Sequence, residues 1–526
     1  MVRAVAGSLV AAVVGILAVA VGASAQSAER PVVTAAAQVT TDPLPTRAHS
    51  SPVIARNPKT GELVIVEAEV RRDERCIVHI SGDDGRSWSP GGSPMRKPFT
   101  DCSFHAEYGP YASAVFGKDG TLYVAFVASE PGVPLSEDAA SGGAGYTPRS
   151  VFLARSSDSG RSFTTATVFR APRDNADRGL NKGPTVAVDP SDESRVYVGW
   201  RQGSFSSERE KNKSNVAASS DGGRTFSAPV DISGKNGGDY PQMAVDSEGT
   251  LHAMHWPRPF PGLPFADPKT PVRPIFYRQS TDFAKTFTKP VQVDPGSQET
   301  QRPPIIATAP QSGVLYTVWA NTPEQKNLAE DFKGDTEIFF SLSRDGGKTW
   351  NPRRVLNDDR DPTVNQHLPG ISVAPDGRVD VAWYDDRFTL AAADEEDPSE
   401  DEPTAQNVFY TSSDDEGRTF ARNVRISDRN IDRTVGVWGN NISSQHNVGM
   451  DSTDEGVYYA WQDTRDADRA NQAEDIYTAK LARGEAGAQT GEGDSKLIWA
   501  LLGGGGALAL GGLLLVGGVG WLRRGT

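Results

Sequence analysis

The stretch SRDGGKTW at Ser343–Trp350 decides the fold, because variants of it return along the chain. Each copy starts with Ser, has Asp two residues later, and ends with Ser or Thr followed by Trp or Phe. We call these stretches the boxes. Their aspartates are Asp83, Asp158, Asp221, Asp282, Asp345 and Asp415. A motif that returns at intervals of roughly 60 to 75 residues indicates an array of similar supersecondary units.

Each repeated unit has the pattern of four short strands. A strand-like run precedes every box, as in EIFFSLS at Glu337–Ser343, and a less regular strand follows it. Further upstream lies a strand–turn–strand pattern, as in ISVAPDGRVDVAW at Ile371–Trp383. Alternating apolar and β-branched residues bounded by Gly, Asp and Pro are typical of strands and hairpins.

Antiparallel four-stranded units repeated along a chain are typical of a β-propeller. The sequence has six boxes but seven strand pairs. We therefore predict an all-β, seven-bladed propeller, with six blades as the alternative. The last unit, within Asn447–Leu481, has three strands and no box. The run PVVTAAAQVT at Pro31–Thr40 would supply its fourth strand and close the ring, which removes exposed sheet edges.

The repetition of the boxes favours a structural role over a catalytic one. Asp, Ser and Thr side chains can bond the backbone N–H groups of a turn, and glycine allows a positive φ there. A catalytic site needs one acid in one place, whereas these acids recur in nearly every unit. Removing Asp345 should lower stability by roughly 1–3 kcal/mol and leave ligand binding intact. The fourth box has Ala284 in place of glycine, which predicts an altered turn.

The two ends of the chain predict export and a membrane anchor. Residues 1–25 combine an apolar run with the cleavage pattern Ala23-Ser24-Ala25, which is typical of a signal peptide. The propeller is assigned to residues 26–481 and a polar linker to 482–496. Residues 497–522 carry no charge and are long enough for a transmembrane helix. The basic tail at 523–526 should lie in the cytoplasm. The predicted location is the plasma membrane, crossed once, with the propeller outside.

The composition limits the partners that the protein can have. A net charge of −14 argues against a nucleic-acid partner. The two cysteines, Cys76 and Cys102, are predicted to form a disulfide in an exported protein, with free thiols as the alternative. We expect a monomer without a cofactor, and a structural Ca²⁺ ion remains open.

The sequence insertions point to the face opposite the boxes. In a four-stranded blade, the loops between strands 2 and 3 and between successive blades share that face. Long loops on one face of a rigid scaffold usually carry function. The insertions are Ser129–Arg149, Arg201–Ser214, Pro257–Arg273 and Asp385–Gln406.

Three neighbouring blades carry an acid-x-Arg pair where the second strand ends. The pairs are Glu69 and Arg71, Asp385 and Arg387, and Asp463 and Arg465. We expect these residues to bind a ligand and, in an enzyme, Asp385 or Asp463 to donate a proton. The alternative is that the pairs are ion pairs that tie neighbouring blades together.

The loops that enter the first strands add polar residues at matching places. They are His49, Lys182, Tyr240, Arg302, His367 and His446. We expect the three histidines, Tyr240 and Arg302 to line the ligand site. Three neutral imidazoles can also hold a metal ion at roughly 2.0–2.1 Å, but we assign no metal to them.

The pattern S-x-D-x-G-x-[ST]-[WF] in a four-strand repeat resembles the Asp-box, or bacterial neuraminidase repeat, of sialidase-like propellers. Six boxes, five of them complete, carry the resemblance across residues 31–481. The resemblance implies that the boxes face away from the ligand site. It also implies that an active member uses an arginine triad for an acidic sugar, a Tyr–Glu nucleophile and an Asp as acid/base. Such members open their first blade with Phe/Tyr-Arg-Ile-Pro, whereas this chain has SSPVIARNP at Ser50–Pro58.

Together these features predict a membrane-anchored, cell-surface propeller. We expect it to bind a glycan or another envelope or protein ligand on the face opposite the boxes. The alternative is an exo-acting glycoside hydrolase of sialidase type that cleaves terminal acidic sugars. The departure at Ser50–Pro58 favours binding.

Overall fold

The parts of the chain that the computed structural model describes consist of strands, turns and coil, with no α-helix among them. All of them except Arg483 belong to a unit that runs from Val32 to Ala482. The described residues are 32–45, 47–70, 75–95, 112–129, 149–172, 180–203, 212–234, 237–256, 266–267, 270–271, 274–295, 304–321, 336–359, 361, 364–388, 405–436 and 448–483.

The chain begins with two short strands, β1 (Val32–Val33) and β2 (Ala37–Gln38), and then forms the blades in order. Blades 1 to 3 comprise β3 (His49–Arg56), β4 (Leu63–Glu69), β5 (Arg75–Ser81) and β6 (Ser89–Pro90); β7 (Ala112–Phe116), β8 (Leu122–Ser129), β9 (Arg149–Ser156) and β10 (Thr164–Phe169); and β11 (Leu180–Val188), β12 (Val196–Gly203), β13 (Lys213–Ser219) and β14 (Val230–Asp231).

Blade 4 inserts a small hairpin between its second and third strands, and blade 6 has an additional short strand, the last of its group below. Blades 4 to 6 comprise β15 (Asp239–Val245), β16 (Leu251–Trp256), the hairpin β17 (Ala266–Asp267) and β18 (Thr270–Pro271), β19 (Ile275–Ser280) and β20 (Val291–Asp294); β21 (Ile305–Thr308), β22 (Leu315–Asn321), β23 (Glu337–Ser343) and β24 (Arg354–Val355); and β25 (Gln366–Val373), β26 (Val379–Asp385), β27 (Ala405–Ser413), β28 (Val424–Arg425) and β29 (Ile431–Asp432).

Blade 7 is built from both ends of the propeller. It comprises β30 (Gly449–Thr453), β31 (Gly456–Asp463) and β32 (Asp475–Ala482), and β1 and β2 pair with β32 on its outer side. The innermost strands β3, β7, β11, β15, β21, β25 and β30 contact one another in sequence, and β30 contacts β3. The predictions of seven blades and of closure by the N-terminal strand are therefore confirmed, and the six-bladed alternative is wrong.

The strand register places the boxes and the ends of the second strands on opposite faces. In blade 1, Leu63 pairs with Ser81 of the box at one end, while Glu69 pairs with His49 and Arg75 at the other. In all six blades with a box, the box serine pairs with the first residue of the second strand. We call the face where the second strands end the mouth face.

Every box aspartate is bonded within its own turn. Asp345 accepts hydrogen bonds from the Ser343 hydroxyl, at 2.8 Å, and from the backbone N–H and hydroxyl of Thr349, at 2.9 and 2.6 Å. These bonds hold the pKa of Asp345 at about 2. The other five boxes repeat the same bonds. The boxes are structural turns on the face away from the mouth.

The altered turn predicted for the fourth box is not found. Ala284 adopts a φ of 55°, in the left-handed region where the other boxes place glycine. Its backbone N–H bonds the Ser280 hydroxyl at 3.0 Å, as the glycine does elsewhere. The side-chain bonds of the box outweigh the backbone strain of a non-glycine residue at this position.

Several predictions lie at or beyond the limits of the described residues. Cys76 is disulfide-bonded, and the chain's other cysteine, Cys102, lies outside those residues. No helix within the described part could cross a membrane. The predicted signal peptide at 1–25 and the predicted anchor at 497–522 both fall outside it.

Candidate functional site

Three acids occupy equivalent places at the mouth face, as the sequence pattern predicted. Glu69, Asp385 and Asp463 are the last residues of the second strands β4, β26 and β31. Glu69 and Asp463 pair with the first residues of the third strands of their blades, Arg75 and Asp475, and Asp385 pairs with Asn407, the third residue of β27. The register therefore confirms the match between blades, and the contacts of each side chain decide its role.

In blade 6 the acid is surrounded by donors of its own blade. Asp385 accepts hydrogen bonds from the Trp383 indole at 3.0 Å, and from the Arg387 backbone N–H, Nε and Nη2 at 3.0, 2.8 and 2.8 Å. The Arg387 guanidinium also lies 4.1 Å from the centre of the Phe409 ring and bonds Asp358 at 2.8 Å. Because Asp358 follows the last strand of blade 5, Arg387 ties blade 5 to blade 6.

Blade 7 repeats this arrangement. Asp463 accepts hydrogen bonds from the Trp461 indole at 3.0 Å, and from the backbone N–H and Nη2 of Arg465 at 2.9 and 2.7 Å. The Arg465 guanidinium lies 3.9 Å from the centre of the Tyr477 ring. It also bonds Asp428, which lies between β28 and β29 of blade 6, at 2.7 Å. The Trp-x-Asp-x-Arg segments of blades 6 and 7 therefore make the same kinds of contact: indole to acid, acid to arginine, and arginine to an aromatic ring and to the preceding blade.

These contacts favour the ion-pair interpretation of the acid–Arg pairs. Four donors occupy the two oxygens of Asp385, so no oxygen is left to carry a proton for transfer. Burial opposes the charge of Arg387, but its bonds to Asp385 and Asp358 outweigh burial and raise its pKa. In blades 3 and 5 the residue two places after the tryptophan is not an acid, and the indole nitrogens of Trp200 and Trp319 have no partner among the described residues. Asp385 and Asp463 thus anchor a buried tryptophan and an arginine.

Blade 1 differs from blades 6 and 7. Glu69 is buried, but Arg71, its predicted partner, lies outside the described residues. Arg302 and His446 also lie outside them. The predicted convergence of the three arginines and of the three histidines on one site therefore stays a prediction.

His49 and His367 are both buried at the mouth face but point into different surroundings. His49 Nδ1 lies 3.0 Å from Glu67 Oε1. The His367 ring stacks on Tyr384 and its Nε2 contacts the amide of Gln406. Within the described ranges, no three His, Cys, Asp or Glu side chains are placed to hold a metal ion.

Four inner strands share a bulge that shapes the mouth. Their register shifts close to a residue with positive φ, and those residues are Ser51, Gly183, Tyr240 and Leu368. Lys182 and His367 immediately precede the positive-φ residue, whereas His49 lies two places before it. His49 is therefore not the structural equivalent of His367.

Tyr240 belongs to a buried ion-pair cluster between blades 3 and 4. Arg201 Nε lies 2.6 Å from Asp239, and Arg201 Nη1 donates to the Tyr240 hydroxyl at 3.3 Å. The guanidinium is also 5.5 Å from the centre of the Tyr240 ring. The sequence pattern pointed to Tyr240 but missed Arg201 and Asp239, which hold it in place.

The sequence pattern also missed a buried glutamate and a histidine in blade 1. Glu67 and His79 are bonded at 3.1 Å, and both are buried. Glu67 is the fifth residue of the second strand, where the first is Leu63, the residue that pairs with the box serine. The same position in blades 2 to 6 holds an aromatic side chain, and Trp461 is its match in blade 7. These residues are Phe126, Trp200, His255, Trp319, Trp383 and Trp461. Aligning the second strands on this aromatic position would have identified Glu67.

One aromatic ring is exposed at the rim of the mouth face. Phe388 is 45 % exposed and is the only exposed large aromatic residue in the described part of the chain. It lies three residues after the end of β26 and packs against Phe409, with the Arg425 guanidinium 5.4 Å from its ring centre. Arg425 in turn bonds Asn430 at 3.0 Å. Blade 6 therefore presents an apolar ring beside hydrogen-bonding groups.

Comparison with known proteins gives no family. No family model and no curated protein sequence matches the chain. Solved structures that resemble it include a protein of unknown function from Dyadobacter fermentans, with 18% identity, a TM-score of 0.43, and coverage of 67% of this chain and 94% of that one. The phage phi92 endosialidase has 10% identity, a TM-score of 0.45, and coverage of 88% and 71%. The Hadza microbial sialidase Hz136 has 15% identity, a TM-score of 0.41, and coverage of 78% and 74%.

Proposed function

We propose that the protein is a binding propeller that holds a glycan on its mouth face, around blades 6, 7 and 1. The observation that carries this proposal is the saturation of Asp385 by Trp383 and Arg387. An arginine that clamps a substrate carboxylate and an aspartate that transfers a proton must both be available to the substrate. Here Arg387 and Asp385 are already bonded to each other, so the pair is better suited to a structural role than to catalysis.

The exposed ring of Phe388 supports a sugar as the ligand. The C–H face of a sugar ring stacks on an aromatic ring, while its hydroxyl groups need hydrogen-bonding groups at the edge. The Arg425 guanidinium lies 5.4 Å from the centre of the Phe388 ring and supplies donors at that edge. Binding sites commonly combine such an apolar surface with a few polar groups.

The proposal includes display of the propeller at the cell surface. The charge-free segment 497–522 would anchor the chain in the plasma membrane, with residues 523–526 inside the cell. The mouth face would then meet glycans of the envelope or of the surroundings.

A direct test uses the full-length protein purified in detergent micelles. A glycan array, followed by calorimetry on the best ligand, should show binding, and a panel of fluorogenic glycosides should show no turnover. Phe388→Ala should weaken the affinity by roughly three- to tenfold, as the loss of a stacking contact does. Val355→Ala is the matched control, because Val355 is 44% exposed but lies on an outer strand of blade 5.

Two results would contradict the proposal. Turnover of a glycoside by the folded protein would instead support the glycoside hydrolase of sialidase type. Absence of binding across the array, with the same protein folded by circular dichroism, would exclude a glycan ligand of the tested classes.

A further inference from the structure

The joint between blade 7 and blade 1 contains a buried cluster of one glutamate and two histidines, and the other blades have an aromatic side chain at the place of the glutamate. Glu67 Oε1 lies 3.0 Å from His49 Nδ1 and 3.1 Å from His79 Nε2. The Glu67 side chain has no exposed surface, and the side chains of His49 and His79 are 3% and 11% exposed. The three residues come from the strands β3, β4 and β5 of blade 1. Glu67 lies on the same face of β4 as Leu63 and Ile65, which pack against blade 7, and His79 pairs with Ile65.

The backbone next to this cluster connects the two blades. The His49 backbone N–H donates to the carbonyl of Glu474 at 2.9 Å, and Ala48 forms a parallel bridge with Glu474. The Ser51 backbone N–H contacts the side-chain oxygen of Gln462 at 3.4 Å, and Gln462 bonds Glu474 at 2.9 Å. The segment that carries His49 is therefore one of the connections between blade 7 and blade 1.

We propose that His49, Glu67 and His79 form a proton-sensitive joint, which holds blade 7 against blade 1 while His49 is protonated and loosens when that proton is lost. A buried carboxylate is tolerated only with a compensating charge and hydrogen bonds. Neutral His49 can keep its Nδ1–H bond to Glu67, but it no longer supplies the positive charge. The proton that leaves is the one on Nε2, which has no hydrogen-bond partner among the described residues.

The charges around the cluster act in the direction that the proposal needs. Burial opposes the charge of His49, but Glu67 outweighs burial and raises the pKa of His49, with smaller contributions from Asp475 and Glu69. Burial likewise opposes the charge of Glu67, and the histidines outweigh it and lower the pKa of Glu67. The charged pair is therefore favoured in the window between these two pKa values.

Other charged groups face the joint from both blades. Glu69 and Arg75 lie beside the cluster in blade 1, and Glu474 and Asp475 lie in blade 7, where Asp475 is bonded by Arg47 at 2.6 Å. Towards the boxes, the same joint holds Asp451, which accepts a bond from the Arg56 backbone N–H. It also holds Asp84, which pairs with Lys480 at 2.7 Å. Of these groups, Asp451 is a rival source of pH dependence, because its pKa is about 6.

Hydrogen exchange in the full-length protein tests the joint. The amides of His49 and Ser51 bridge the two blades, so their protection should fall at least about tenfold between pH 6 and pH 8.5, after correction for the intrinsic exchange rate. Glu67→Gln removes the charge that needs compensation and should abolish this dependence. The double variant E67F/H79A installs the pair found in blade 2, Phe126 and Ala154, and gives a second test if Glu67→Gln does not fold.

Two further variants separate this joint from its alternatives. His252→Gln removes a buried histidine of blade 4 that is bonded to Asp246 and Tyr277, and it should retain the wild-type dependence. Asp451→Asn should also retain it. The chain has seven histidines, so labelled-histidine NMR can follow His49 directly. The proposal is overturned if the folded wild type shows no dependence, if Glu67→Gln and E67F/H79A keep it, or if Asp451→Asn abolishes it.

Discussion

The Trp383 indole donates a hydrogen bond to Asp385 at 3.0 Å, and Trp461 donates to Asp463 at the same distance. The two tryptophans are fully buried between blades. Each acid thereby satisfies a buried polar atom and at the same time orients an arginine. This relationship explains why the acid and the arginine recur two residues apart without requiring a ligand.

Replacing either acid should destabilise the fold to a similar extent. Asp385→Ala removes the acceptor for Trp383 and leaves Arg387 without its buried partner, which should cost roughly 2–4 kcal/mol. Asp463→Ala should cost about as much, because its contacts are equivalent. Chemical denaturation of the two variants measures both values. A near-neutral Asp385→Ala variant that loses ligand binding would instead make Asp385 a ligand-binding residue.

The box aspartates should matter for stability alone. Asp345→Ala removes three hydrogen bonds within the turn, and we expect a loss of roughly 1–3 kcal/mol at unchanged ligand affinity of the folded protein. Lys348→Ala is the control in the same box, because the Lys348 side chain makes no bond in the turn. A drop in affinity at unchanged stability would contradict the structural role of the boxes.

Neighbouring glycines of the same box should differ in their tolerance of a side chain. Gly346 and Gly347 both have a positive φ, of 70° and 82°. A Cβ at Gly346 would have no atom of the described residues within 4 Å, whereas one at Gly347 would clash with the Tyr277 ring of blade 4. Gly346→Ala should therefore cost only about 1–2 kcal/mol of backbone strain, and Gly347→Ala should cost clearly more. Thermal denaturation of the two variants compares them directly, and equal losses would rule out the packing argument.

The fold could be predicted because its repeat is local in sequence. The box gives the period, each hairpin is contiguous, and the three-stranded last unit requires a partner such as Pro31–Thr40. The turn at Ala284 was predicted wrongly, because side-chain bonds from Ser280 and Asp282 compensate for a strained φ. Residue type alone does not reveal that compensation.

The sequence predicted where the residues of the candidate site lie, but not which groups their side chains contact. Strand register follows from sequence, so Glu69, Asp385 and Asp463 were matched correctly. Whether an arginine faces a ligand or its own aspartate depends on side-chain contacts that a pattern does not contain. Glu67 was missed because a single acid in an apolar strand stands out only against the aromatic residues at the same place in the other blades.

Acid should unfold the propeller within a narrow range of pH. The pKa values of Asp83, Asp158, Asp282 and Asp345 are held at about 2 by the bonds within their turns, below the ordinary value of 3.8, and those of Asp221 and Asp415 are also lowered. A carboxyl group whose pKa is lowered by folding stabilises the fold at pH values above its ordinary pKa. This stabilisation is lost as the pH falls towards the pKa of the folded state. We expect cooperative loss of the fold between about pH 4 and pH 2, measured by circular dichroism. A fold that survives at pH 1 would contradict this account.

The effect of Asp451 on stability should depend on pH in the opposite direction to that of the box aspartates. Burial raises its pKa from 3.8 to about 6, against the hydrogen bond from the Arg56 backbone. A carboxyl group with a raised pKa binds a proton on folding. Its contribution to the stability of the fold is therefore complete below pH 3.8 and is lost as the pH rises through 6. Asp451→Asn keeps an acceptor for Arg56 without the charge. The variant should therefore gain roughly 1–2 kcal/mol at pH 8 and almost nothing near pH 4. Glu248→Gln, an exposed change of the same charge, is the control, and a gain that is equal at both pH values would show that the charge of Asp451 is not its cause.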